Sequence, residues 1–116
     1  MSAEVTLDIF SGRPNPSWVL ELDLEEECIR RVDTLRATPE GGVPEPPGLG
    51  YRGFAVQVSD ASHDAYTIRV YKGVVQHSSA EYSDPGRRFE QWLLNSAGQT
   101  LESNLIEMVR RELEQP

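Results

Sequence analysis

Two short runs of alternating apolar residues, joined by a proline-rich loop, fix how this chain must begin. In residues 4–10, Val5, Leu7 and Ile9 point one way and Thr6, Asp8 and Phe10 the other; in residues 17–22, Trp18, Leu20 and Leu22 oppose Ser17, Val19 and Glu21. A period of two marks a strand with one buried face. The connection from Ser11 to Pro16 then makes a β-hairpin, with a loop slightly longer than the commonest kind.

The loop is built to be stiff. Pro14 and Pro16 fix their own φ and push Arg13 and Asn15 towards extended geometry, while Gly12 supplies the freedom a reversal needs. A stiff loop loses little entropy on binding, which suits recognition. Phe10, Arg13, Asn15 and Trp18 are therefore candidate binding residues at the hairpin tip. The competing reading is a good turn of Gly, Pro and Asn, with Phe10 and Trp18 packed as core partners.

Asp23, with Glu26 three residues on, reads as a helix start, and the helix is expected to run to about Ala37. Leu24, Cys28, Val32 and Leu35, with Ile29 alongside, form its apolar stripe, so Cys28 is expected to be a small buried hydrophobe. Residues 38–50 hold four prolines and four glycines in thirteen positions and exclude regular structure. Three strands follow, around Phe54–Val58, Tyr66–Tyr71 and Val74–Ser78, with Lys72-Gly73 as a tight turn. Asp84-Pro85 opens a helix carrying Phe89, Trp92 and Leu93, and the phase slips at Gly98. A last helix, about Leu101 to Leu113, is expected to bury Leu101, Leu105, Met108 and Val109.

The order β-β-α-β-β-β-α-α points to an α+β fold: a mainly antiparallel sheet of about five strands with the helices packed on one face. At 116 residues a single domain spanning 1–116 is expected.

Composition excludes several functions. With a net charge of −8, a phosphate backbone would be repelled, and the basic residues do not cluster beyond Arg30-Arg31, Arg87-Arg88 and Arg110-Arg111. No nucleic-acid partner is expected. No apolar run approaches the roughly 20 residues of a membrane helix, so no membrane partner is expected either. The first residues carry neither a basic region nor an apolar one, and the lone Cys28 cannot form an internal disulfide. A cytoplasmic location is the expectation.

Chemistry is sparse. His63 and His77 are the histidines, and although Asp60 and Asp64 flank His63, the spacing matches no zinc pattern. Ser62-His63-Asp64 is contiguous, whereas a catalytic triad is a spatial constellation. Gly48, Gly50 and Gly53 match the spacing of a phosphate loop but follow a Pro-rich stretch and open a strand, which is the wrong context. No catalytic residue, metal or cofactor is assigned, and binding is favoured over catalysis.

Tyr51 and Arg52, where the Pro/Gly segment enters the sheet, join the hairpin residues as candidates, since Arg and aromatic residues dominate interface energies. The leading expectation is a small cytoplasmic binding or accessory protein that recognises a partner protein or peptide through the hairpin tip or by strand addition. The alternative is a small anionic-ligand binder or enzyme with a pocket under residues 38–50, using Arg13 or Arg52 for the anion and His63 or His77 for proton transfer. A third reading, an acidic decoy, requires carboxylates aligned on one face.

Overall fold

The alternation at the N-terminus becomes β1 (Ser2–Leu7), paired antiparallel with β2 (Ser17–Val19) so that Val5 faces Trp18. The computed structural model describes residues 2–9, 14–37, 51–60, 63–77, 80–98 and 100–114, with backbone only at 60, 63 and 64. Phe10, Arg13 and the Pro/Gly segment 38–50 lie outside the described residues. After β2 come α1 (Leu22–Asp33), β3 (Arg36–Ala37), β4 (Phe54–Asp60), β5 (His63–Tyr71), β6 (Val74–His77), β7 (Ala80–Ser83), α2 (Arg88–Ser96) and α3 (Ser103–Leu113). A single 3₁₀ turn, Pro85–Arg87, leads into α2.

The sheet has seven strands, ordered β2-β1-β4-β5-β6-β7-β3, and each described pairing is antiparallel. This corrects the expectation of about five. Helix α1 stops at Asp33 rather than near Ala37, and Arg36–Ala37 pairs with Tyr82 and Ser83. Of the missed strands, β3 has two residues, and β7, Ala-Glu-Tyr-Ser, has no apolar alternation to read.

One face of the sheet is apolar. Val5, Val56 and Ile68 lie in register across it, beside a second row of Leu7, Phe54, Val70 and Val75. These rows form one core with Cys28 and Val32 of α1, Phe89, Leu93 and Leu94 of α2, and Val109 and Leu113 of α3. The helices thus cover a single face, and the other face exposes Glu4, Gln57, Thr67 and Arg69. Burying one face of an antiparallel sheet and wetting the other is what produces the alternation in the sequence.

Two side chains depart from their expected places. Leu22 is 68% exposed because the chain has already turned into α1, and Met108 is 46% exposed while Leu113 takes its place in the core. The tight turn is as expected: Lys72 (φ 49°) and Gly73 (φ 77°) both adopt positive φ, the geometry of a two-residue hairpin loop. Gly98 (φ 57°) ends α2 where the phase slips. Among the described residues, no helix is long and apolar enough to cross a membrane.

Cys28 is fully buried, and its thiol is pushed up from 9.0 to about 12, by burial first, then by the negative charge of Glu25, with Arg31 opposing. Below pH 9 the thiol is protonated in both folded and unfolded chains. Between pH 9 and about 12 the unfolded chain alone loses the proton, so folding stability falls as pH rises, by up to about 1.4 kcal/mol per pH unit. In urea titrations across this range, Cys28→Ala is expected to lose stability less steeply than the wild type. Parallel slopes would show that the thiol does not carry the effect.

Candidate functional site

The hairpin is held at its base by a polar clamp. Beyond the last β1–β4 pair, Leu7 with Phe54, Asp8 keeps the two segments together: its N–H donates to the Gly53 carbonyl (3.0 Å) and its carbonyl accepts from the Arg52 N–H (2.8 Å). The Asp8 carboxylate then takes the Arg52 guanidinium at 2.9 Å and the Asn15 amide at 3.3 Å. Asn15 Oδ1 in turn accepts the Ile9 N–H at 3.0 Å, across the mouth of the loop. Gly53 itself is fixed by its contact with β5: at φ 96°, a Cβ there would run into the Val70 carbonyl. Ile9 and Asn15, which flank the loop, therefore belong to a pinned frame.

Asn15 and Arg52 thus meet, through Asp8. Trp18 and Tyr51 turn inward instead. Trp18 is 7% exposed, packs edge-on against Phe54 with ring centroids 6.4 Å apart, and donates its indole N–H to Ser96 Oγ at 3.0 Å. Ser96 passes its own hydrogen to the Leu93 carbonyl, so the hairpin is tied to the end of α2. Tyr51 is 5% exposed, lies between the rings of Phe54 and Tyr71, and donates its hydroxyl to Glu90.

Glu90 is the centre of a buried network that sequence reasoning did not find. Fully enclosed, it accepts from Tyr51, from the Gly73 N–H (2.8 Å) and from Arg87 through Nε and Nη2 (3.0 and 2.9 Å). Arg87 also donates to the Glu112 carbonyl of α3 at 2.9 Å, and reaches this position from a left-handed backbone at φ 54°. Its burial works to lower its pKa, but the hydrogen bonds and charge of Glu90 outweigh that and hold it above its ordinary value. Burial, and then the charge of Glu90, push the Tyr51 hydroxyl far above the ordinary phenol range. Asp84 caps α2 across the 3₁₀ turn, accepting the Phe89 and Glu90 N–H groups. The signal for Glu90 was its place on the apolar stripe, one turn before Leu93 and Leu94 and two before Ala97. The network joins the β5–β6 turn to α2 and α3. Each partner described here is a group of the protein itself, and the network braces the fold.

An open cleft of about 410 Å³ between α2 and α3 is lined by Gln91, Leu94, Asn95, Arg110, Leu113 and Glu114, and Arg110 there bonds Asn95. A smaller one, about 220 Å³, lies beside Arg31, Thr34 and Arg88. Neither contains a histidine. His77 stacks on Tyr66 with ring centroids 4.8 Å apart, whereas the His63 side chain lies outside what is described. Among the described residues, no group of three or more His, Cys, Asp or Glu side chains is placed to hold a metal ion. Compared with known proteins, the chain matches no family model, no curated protein and no solved structure.

Proposed function

We propose that this protein is a small cytoplasmic binding or accessory protein that recognises a partner protein or peptide through its N-terminal hairpin. The observation that carries the reading is the Asp8–Asn15–Arg52 clamp, which spends three polar side chains on fixing both ends of the loop containing Phe10 and Arg13. A loop delivered from a fixed frame binds with less entropic loss than a free one. Arg13 supplies a planar cation for a carboxylate or carbonyl of the partner, and Phe10 an apolar contact. Asn15 and Arg52 support this tip, and Trp18 and Tyr51 support the frame beneath them.

The test is Arg13→Ala, with Gln57→Ala on the open sheet face as control. Binding of the interacting protein purified from the source cells is expected to weaken by about ten-fold or more for Arg13→Ala and to stay unchanged for Gln57→Ala. Equal affinities for both variants and the wild type would reject the proposal.

A further inference from the structure

The strand at one edge of the described sheet lies in an acidic stretch of the chain, in which Asp8 and Glu27 are paired with Arg52 and Arg31 and Glu25 is buried. Residues 1–29 contain seven acids and one base, a net of −6 out of the total −8. Within this stretch lies β2, whose one neighbour among the described strands is β1. The Leu7 N–H bonds the Pro16 carbonyl and the Leu20 N–H bonds the Ala3 carbonyl, so main-chain groups at positions 16, 18 and 20 face β1. Antiparallel alternation therefore turns the N–H and C=O groups of Ser17 and Val19 outward, and both residues are exposed. Such an edge is a template for another strand.

Two apolar side chains mark the same place. Val19 is 64% exposed and Leu22 is 68% exposed, three residues apart where β2 passes into α1. Acids surround them: Glu4 faces Val19 across the strand pair, Glu21 adjoins Leu22, and Glu26 follows Leu22 by one helical turn; all three are exposed. No described residue in this stretch is basic.

We infer that β2 accepts an extended, basic segment of a partner protein as an eighth strand, with main-chain hydrogen bonds to Ser17 and Val19, apolar contact at Val19 and Leu22, and lysine or arginine side chains against Glu4, Glu21 and Glu26. Charge complementarity selects this occupant. A second copy of the chain would bring two acidic rims together, and an acidic peptide would be repelled. This inference rests on the hairpin-docking reading and names the chemistry of the partner.

The probe is a fluorescent ten-residue peptide of alternating lysine and valine, with a glutamate–valine peptide as its counterpart. Val19→Pro removes an outward N–H without breaking a bond to β1, and an edge strand tolerates proline. The lysine peptide is expected to bind, to slow hydrogen exchange at the Ser17 and Val19 amides, and to weaken with salt. Val19→Pro and the triple reversal Glu4→Lys, Glu21→Lys, Glu26→Lys are each expected to reduce its affinity by about ten-fold or more. Failure to bind up to about 1 mM, equal binding of both peptides, unchanged affinity in Val19→Pro with its fold intact, or self-association abolished by Val19→Pro would each overturn it. If the lysine peptide fails while the purified partner still depends on Arg13, the docking reading survives and the basic strand is discarded.

Discussion

Replacing Glu90 by alanine is expected to cost about 3–5 kcal/mol of folding stability, a large share of what a domain of this size holds. The substitution leaves the Arg87 guanidinium, 9% exposed, without its bidentate carboxylate, and strips the Tyr51 hydroxyl and the Gly73 N–H of their acceptor. Removing only the carboxylate from a buried ion pair costs more than removing both ions. The double variant Arg87→Met with Glu90→Leu is therefore expected to be more stable than Glu90→Ala, because both ions leave together. Urea unfolding with an unchanged m-value measures both. A loss below about 1 kcal/mol for Glu90→Ala would mean that the network does not brace the fold.

Trp18→Ala is the second large effect, about 3–5 kcal/mol, from a buried indole whose removal opens a cavity against Phe54. Trp18→Phe keeps most of the packing and removes the bond to Ser96, so it should cost about 1 kcal/mol plus the fit of the smaller ring. Ser96→Ala should cost a similar amount, and the two changes combined less than their sum. Trp18→Phe is expected to leave partner affinity unchanged, since the ring faces the interior. A stable Trp18→Phe variant that no longer binds its partner would return Trp18 to the contact surface.

The periodic elements were legible from the residues alone. Val5, Leu7 and Ile9, the Lys72-Gly73 turn, the Cys28–Val32 stripe and the break at Gly98 each follow from local pattern and turn chemistry. Strands β3 and β7 were not legible, because the one has two residues and the other no apolar alternation, and they exist through pairing with each other and with β6. The four described site residues divide in the same way. Their types named them as recognition residues, but type does not say which way a side chain points. Tyr51 and Trp18 point inward, and Arg52 and Asn15 converge on Asp8, an acid whose importance appears only once the fold brings the two segments together. Glu90 was hidden because a carboxylate on an apolar stripe is ordinarily solvated, and its distant partners Tyr51 and Gly73 come close only in the fold.

The central claim, that this protein meets its partner through the hairpin loop carried by the Asp8–Asn15–Arg52 clamp, is tested most directly by site-specific photo-crosslinking in extracts of the source cells. A photoreactive residue at position 13 is expected to give a discrete adduct with one partner, and the same residue at position 57, on the exposed face of β4, is expected to give none. Adducts from position 57 alone, or equally from both positions, would contradict it.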